Sequence, residues 1–358
     1  MSMLMLIEPQ LSRCIRVKMA GVLSPRETGR LIAETSKDVS ICTDGIKKTA
    51  QLVFDHVKKD AFSVKSWKEH ELNPKTMDKA AVDWVFLADT LNFSFYSDDE
   101  TKKYSVEYGG KKHTGYWSLC AAINRALDDG IPITDPNYYA SIGQEKLASI
   151  LRSDTDYNIP LLDKRVEVLH EAGSVLLKKY DGSFINCIKQ SEKSAQSLLK
   201  LVVEDFPAYR DEAEYNGKKV AFYKRAQILI ADVWGCCEGQ GYGEFNDIDT
   251  ITMFADYRIP QCLVYFGALK YSDDLLQTLH KGVNIGNGDR QEMEIRGCSI
   301  WATELICEET KKLLAADPQT VDADINAILV DHYLWDYRRE KADEMRNIPF
   351  HKTRCIYY

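Results

Sequence analysis

The sequence predicts a mainly α-helical protein with one small β-hairpin, folded as a single domain. Amphipathic patterns with the 3.6-residue period of a helix recur along most of the chain. Only one region, at 92–110, combines alternating apolar residues with a glycine turn. The connections are short, with neither a long linker nor an internal repeat. We therefore predict a disordered extension at 1–21 and a single domain at 22–358.

The first helix is predicted from its start signal, Ser24-Pro25-Arg26-Glu27. Serine is a good N-cap, proline fits the first turn, and a glutamate three residues after the serine completes a capping box. Further helices are predicted at 44–58 and 80–91 from their apolar periodicity.

The β-hairpin is predicted from two alternating runs at 92–96 and 104–108, with Gly109-Gly110 as a turn. A helix at 116–127 follows and ends near Gly130, which suits the left-handed residue after a helix. The remaining predicted helices cover 143–152, 160–179, 192–205, 219–236, 260–270, 272–281, 289–315 and 321–342.

Composition limits the classes of function. The net charge is −8 and no dense Lys/Arg cluster appears, which argues against binding a long nucleic acid but not a single nucleotide. Ten cysteines occur without a Cys-x-x-Cys pair, so we expect reduced thiols and no zinc site. No apolar run is long enough to span a membrane. We expect a cytoplasmic protein without a metal or cofactor, and the sequence does not indicate its oligomeric state.

Asp256 is the leading catalytic candidate from local pattern. It lies two residues after Phe254 and just before an apolar run that can begin a helix. The exposed N–H groups of a helix start keep a carboxylate ionised, which suits a group facing positive charge. Asp247 and Asp249 are nearby competitors, for which a helix cap and a loop acid are the alternatives.

Other candidates have a functional and a structural interpretation from pattern alone. Asp331, His332 and Asp336 lie in a predicted helix, where His332 and Asp336 share a face. They form either a binding surface or the polar flank of a structural helix. His70, beside an aromatic residue, is either a ligand-binding or an ordinary packed histidine.

Two further motifs remain ambiguous. Gly239-Gln240-Gly241-Tyr242-Gly243 resembles a dinucleotide loop, but a helix precedes it where that motif needs a strand, which favours a plain loop. The basic group at 218–225 is either a solvated helix face or a contact for one phosphate, with Lys224 and Arg225 as the candidates.

Nine stretches of the chain form a longer pattern: WKEHELNP, DTLNFSFYS, GYWSLCAAINRALDDGIPIT, ILRSDTD, FYKRAQILIAD, ITMFADYRIPQ, ALKYSDDLL, GDRQEMEIRGCSIWATELI and IPFHKTRCIYY. The matching part of the chain runs from about residue 22 to the end of the sequence. Together the stretches resemble the queuosine salvage protein family, the queuosine 5′-phosphate N-glycosylase/hydrolases.

The resemblance implies a fold related to the helix-hairpin-helix DNA glycosylases and hydrolysis of queuosine 5′-monophosphate to queuine and ribose 5-phosphate. It places the catalytic aspartate at Asp256 and a base-contacting phenylalanine at Phe254. It implies further queuine-binding positions at His70, Asp331, His332 and Asp336. The family pattern has tyrosine where this chain has His332.

The implied reaction is compatible with the residues. Cleavage at ribose C1′ passes through an oxocarbenium-like state, which one carboxylate stabilises without a metal. Queuine is a flat deazaguanine with a cationic arm, so an aromatic face and acidic acceptors suit it. The alternative is a non-enzymatic queuine- or tRNA-binding protein. A DNA glycosylase would need a basic surface that this chain does not show.

Overall fold

The computed structural model describes residues 21–59, 64–99, 101–320 and 325–358. Nearly all of the predicted extension at 1–21 lies outside these ranges. The prediction of a mainly α protein with little β structure is confirmed. The α-helices are α1 (Pro25–Thr35), α2 (Thr43–Val57), α3 (Lys79–Thr90), α4 (Tyr116–Asp128), α5 (Pro136–Tyr139), α6 (Gln144–Ile150), α7 (Leu162–Lys179), α8 (Phe184–Gln190), α9 (Ala195–Asp205), α10 (Lys224–Cys236), α11 (Ile259–Tyr265), α12 (Asp273–His280), α13 (Arg290–Ala316) and α14 (Ala327–Glu340).

The β structure consists of short strands in small sheets. The strands are β1 (Val22–Leu23), β2 (Val39–Ile41), β3 (Ser105–Tyr108), β4 (Lys111–Thr114), β5 (Glu212–Tyr215), β6 (Lys218–Ala221) and β7 (Leu269–Tyr271). In the described residues, β1 runs parallel to β6, which pairs antiparallel with β5. The antiparallel pairs β2–β7 and β3–β4 complete the strand pairing there.

The start of α1 confirms the predicted capping box. The Ser24 hydroxyl accepts a hydrogen bond from the Glu27 N–H at 3.4 Å, and the Glu27 carboxylate accepts one from the Ser24 N–H at 3.1 Å. Pro25 occupies the first turn, as predicted. Two of the N–H groups that a helix start leaves without partners are thereby satisfied.

The predicted hairpin is partly wrong. Its second run forms β3, but β3 pairs with β4 across the Gly109-Gly110 turn, and 92–96 is not a strand. The Arg165 guanidinium donates to the carbonyls of Leu91 and Phe93, each at 2.5 Å. The buried Arg165 side chain therefore supplies hydrogen bonds that a neighbouring strand would have supplied in the predicted hairpin.

A strand replaces the start of one predicted helix and the end of another. The helix predicted at 219–236 begins only at Lys224, after β6 and after Tyr223, which has a φ of 49°. The helix predicted at 260–270 ends at Tyr265, and Gly267 at a φ of 77° leads into β7. Non-local strand pairing outweighs the local helical periodicity at both places.

Two large apolar cores meet along one extended segment. The first is built mainly on α3, α4 and α7–α10, and the second mainly on α1, α2 and α11–α14. Phe254 belongs to the first core, while its neighbours Met253 and Ala255 belong to the second. Because successive side chains of an extended chain point to opposite sides, both cores hold the backbone immediately before Asp256.

The long helices do not form membrane spans. No helix in the described ranges is both long and apolar enough to cross a bilayer.

The glycine-rich stretch at 239–243 lies after α10 and includes a short 3-10 helix at Gly241–Gly243. It lacks the preceding strand of a dinucleotide-binding loop, as the sequence predicted.

Candidate active site

A cavity of about 1340 Å³ lies where the two cores meet. Its wall is formed by α10, α14, the loop before α11 and a 3-10 helix at Val64–Glu69. The residues that the sequence analysis singled out for catalysis and queuine binding all line it: His70, Phe254, Asp256, Asp331, His332 and Asp336. The fold therefore brings together groups separated by more than two hundred residues in the sequence.

Asp256 lies at the start of α11, as predicted. Its Oδ1 accepts hydrogen bonds from the backbone N–H groups of Arg258 and Ile259, both at 2.8 Å. Its Oδ2 accepts no hydrogen bond from the residues that the structure describes. Burial raises the pKa of Asp256, while the two N–H donors and Lys224 oppose that rise. One oxygen is thus held in place and the other is available to a ligand.

Lys224 is the cationic partner of Asp256 in the cavity wall. It is the first residue of α10 and is buried, with Nζ 3.4 Å from the Asn92 carbonyl oxygen. Burial lowers the pKa of Lys224, and the charge of Asp256 is the largest influence opposing this. The lysine favours the ionised form of Asp256.

Asp331 connects α14 to the segment that carries Phe254 and Asp256. Its Oδ2 accepts a hydrogen bond from the Phe254 N–H at 3.0 Å. Burial raises the pKa of Asp331 well above its ordinary value, and the charge of Asp256 adds to the rise. The predicted binding residue therefore also positions the backbone that carries Phe254 and Asp256.

Helix α14 presents two neighbouring stripes to the cavity, because residues four apart share a helix face. Asp331 and Trp335 form one stripe, and His332 and Asp336 form the other. The His332 ring centroid lies 6.1 Å from that of Phe254. Burial lowers the pKa of His332 to about 4, so the ring is neutral at pH 7. Asp336 is exposed and lines the cavity.

His70 forms part of an aromatic wall of the cavity that adjoins α14, because Trp117 lies 5.7 Å from Trp335 between ring centroids. Its ring stacks on Trp117 with centroids 3.3 Å apart and planes 5° apart. Burial lowers the pKa of His70 to about 4. Its Nδ1 accepts a hydrogen bond from the Leu72 N–H at 3.3 Å, so the neutral ring carries its proton on Nε2. The histidine is a neutral hydrogen-bond donor.

Comparison with known proteins identifies the family. A sequence profile described as "Queuosine salvage protein" matches residues 72–358. The chain belongs to the queuosine salvage protein family. It is 54% identical over 341 residues to a Mus musculus protein named "Queuosine 5'-phosphate N-glycosylase/hydrolase", covering 95% of this chain and all of the mouse protein. Proteins with the same name match in Schizosaccharomyces pombe, at 42% over 95% of this chain and all of the relative, and in Sphaerobacter thermophilus, at 35% over 94% and 98%.

Asp232 is a residue of this queuosine salvage chain that the sequence analysis missed. It lines the cavity, is buried, and accepts a hydrogen bond from Trp67 Nε1 at 3.0 Å. Burial raises the pKa of Asp232 well above its ordinary value, and Asp89 reinforces the rise. An acid within the apolar run Ile228–Val233 was a usable signal, since buried carboxylates need partners.

Two predictions for charged residues are settled by their contacts. Arg225 is wrong as a phosphate ligand: it is buried away from the cavity lining and donates to the carbonyls of Thr90 and Ala208. Asp247 accepts from the Ala195 N–H at 2.5 Å at the start of α9, but the N-cap of that helix is Ser194.

Metal-ligand geometry is not found in the described part of the chain, where no group of three or more His, Cys, Asp or Glu side chains could hold an ion.

Proposed function

We propose that this chain hydrolyses the N-glycosidic bond of queuosine 5′-monophosphate and releases queuine and ribose 5-phosphate. The observation that carries the proposal is the Asp256 carboxylate, held by two backbone N–H groups on Oδ1 and open to a large cavity on Oδ2. The family and the names of its full-length relatives support the substrate.

Asp256 acts on the sugar. As the C1′–N bond breaks, its electron pair goes to the base and positive charge develops on C1′ and the ring oxygen. The ionised Asp256 stabilises that charge, either across space or by bonding to C1′. Water then supplies the hydroxyl group at C1′, and the proton it loses balances the one that the departing base takes up.

The other side chains recognise the base. Phe254 offers a face to the flat deazaguanine, with the His332 ring beside it. Asp331, Asp336 and Asp232 are acceptors for the N–H groups, the ammonium and the diol, and neutral His70 is a donor. An acidic base pocket is therefore compatible with a nucleotide substrate.

Multiple turnover distinguishes this enzyme from a binding protein. Purified protein is incubated with a large excess of queuosine 5′-monophosphate, and free queuine is quantified by mass spectrometry. We expect far more queuine than protein, without an added cofactor. Binding of one equivalent without product would instead indicate a queuine-binding protein. Salt-sensitive binding of tRNA would indicate a tRNA-binding protein.

The pH dependence of turnover follows from Asp256. Catalysis needs the carboxylate, and burial raises its pKa above the ordinary value of 3.8. We expect kcat/KM to fall with decreasing pH through that raised pKa, so activity is lost at a higher pH than for an exposed aspartate. His70 and His332, with pKa values of about 4, stay neutral above this range. An acid limb near pH 6.5 that vanishes in His70→Gln would contradict this assignment.

Replacing Phe254 by leucine is expected to raise KM about 3- to 10-fold with a smaller change in kcat, because stacking contributes about 0.5–1.5 kcal/mol. Leucine is chosen because Phe254 is also buried in the first core, where alanine would leave a cavity. Phe184→Leu is the matched control, since Phe184 is buried against Phe86 outside the cavity lining. A Phe254 variant that loses stability with an unchanged KM would make the residue structural only.

A cytoplasmic location completes the proposal. Eight cysteines in the described ranges carry free thiols, which suits a reducing compartment: Cys42, Cys120, Cys187, Cys236, Cys237, Cys262, Cys298 and Cys355. The substrate is a free mononucleotide, so we propose no direct nucleic-acid partner, in keeping with the net charge of −8.

A further inference from the structure

Arg338 is a charged residue in the cavity wall without a counter-ion. It lies on α14, and its guanidinium makes no hydrogen bond or ion pair with any residue that the structure describes. Its Nε is buried without an acceptor. Burial lowers the pKa of Arg338 to about 10, and the charge of Arg258 contributes. A desolvated cation beside a second cation is costly unless an anion is bound.

Three fully buried arginines of the chain differ from Arg338, because their terminal N–H groups have protein acceptors. Arg165 and Arg225 donate to backbone carbonyls, and Arg296 pairs with the carboxylates of Asp211 and Glu292. None of these three lines the cavity. The contrast indicates that Arg338 is not a structural arginine of the same kind, because it lines the cavity and its guanidinium has no acceptor among the described residues.

Arg258 supplies a second cationic group in a fixed orientation. Its Nη1 donates to Gln261 Oε1 at 3.0 Å, and its guanidinium carbon lies 4.0 Å from the Phe350 ring centroid. No carboxylate in the described residues pairs with it within salt-bridge distance. Arg258 follows Asp256 by two residues, and Asp256 is the carboxylate that acts most strongly on Arg338. Both arginines therefore lie on the Asp256 side of the cavity.

We propose that Arg338 and Arg258 together bind the 5′-phosphate of the substrate and so select nucleotide over nucleoside. This inference rests on the proposed function, since it assigns a subsite to the same ligand. A guanidinium presents a fork of N–H donors that matches phosphate oxygens, and two of them neutralise a dianion. The phosphate and C1′ belong to one ribose unit, so holding the phosphate here places C1′ near Asp256. We do not assign Lys224 to the phosphate, because the charges of Asp256 and Asp331 already act on it.

The test compares two substrates and one product with Arg338→Met and Arg258→Met. Against queuosine 5′-monophosphate we expect kcat/KM to fall about 10- to 100-fold for each variant, the range of one charged hydrogen bond. Against unphosphorylated queuosine we expect less than about a threefold change, because the lost contact is absent from that substrate. Arg30→Met is the control, since Arg30 is exposed, lies outside the cavity lining and pairs with Glu34.

Calorimetric binding of ribose 5-phosphate gives a readout that does not need turnover. We expect Arg338→Met to weaken ribose 5-phosphate binding about 10- to 100-fold while queuine binding stays the same. Equal losses on both substrates, or unchanged binding of ribose 5-phosphate, would overturn the phosphate site. A wild-type protein that binds ribose 5-phosphate but releases no queuine would contradict the proposed hydrolysis alone.

Discussion

Asp256→Asn is expected to lower kcat for queuine release by at least about 10³-fold, the scale of losing a main electrostatic stabiliser of a charged transition state. Asparagine can keep its side-chain oxygen on the N–H groups of Arg258 and Ile259, so the geometry of the loop is preserved. The carboxylate charge that opposes the positive sugar is lost. The measurement is single-turnover release of queuine at saturating protein.

The fold of this variant serves as an internal check. Because burial raises the folded-state pKa of Asp256, its ionised form destabilises the fold above that pKa and not in acid. We therefore expect Asp256→Asn to melt at the same or a higher temperature than wild type at pH 7, with the difference vanishing in acid. Asp249→Asn, an exposed change in the same loop, is the matched control and should keep full activity. Near-normal turnover by Asp256→Asn would remove the carboxylate from the mechanism.

Arg296→Met is expected to lower the free energy of unfolding by about 3–5 kcal/mol, as when one partner of a buried ion pair is removed. Its Nη1 and Nη2 donate to Asp211 at 3.0 and 2.5 Å, and its Nη1 also contacts Glu292 at 3.2 Å. Its Nε donates to the Ala255 carbonyl at 2.9 Å. The variant leaves two buried carboxylates without their cation. Urea-induced unfolding measures the loss.

The pH dependence tests that cause. Without Arg296, Glu292 is expected to take up a proton in the folded state, because the cation that opposes the rise of its pKa on burial is gone. The stability difference from wild type should be largest at neutral pH and shrink as pH falls. Arg30→Met, at an exposed ion pair, should cost less than about 1 kcal/mol at either pH. A loss that does not change with pH would show that packing, not charge, dominates.

Arg296 also positions the active site. Asp211 accepts from the Lys224 N–H at 3.2 Å as well as from Arg296, and Ala255 directly precedes Asp256. The network therefore connects the long helix α13 to both Asp256 and Lys224. We expect Arg296→Lys, which retains a charge but loses the fork, to lower kcat more than it raises KM.

Local signals in the sequence were sufficient for most helices and for the position of Asp256 at a helix start. The capping box at Ser24 and the helix start after Asp256 depend on neighbours within a few residues, so a single sequence contains their cause. The strands were harder. β1 has two residues and pairs with β6 almost two hundred positions away, and nothing local at Lys218–Ala221 distinguishes a strand from a helix start.

The roles of charged residues depended on distant partners. Nothing in the sequence distinguishes Arg225 from Arg338. In the structure, Arg225 donates to the carbonyls of Thr90 and Ala208, whereas the Arg338 guanidinium has no acceptor among the described residues. Asp331 was predicted to bind the base, and its bond to the Phe254 N–H adds a structural role that only the fold reveals. The prediction that the site residues belong to one binding site came from the family resemblance and not from periodicity, and these residues do line one cavity.

The most direct test of the account is the structure of Asp256→Asn with intact queuosine 5′-monophosphate. We expect C1′ within about 3–3.5 Å of the residue 256 side chain, the separation of a near-attack conformer. We also expect the base against Phe254 and the phosphate between Arg258 and Arg338. A complex with the base or the phosphate beside residue 256, and C1′ beyond its reach, would contradict the assignment of Asp256 to the sugar.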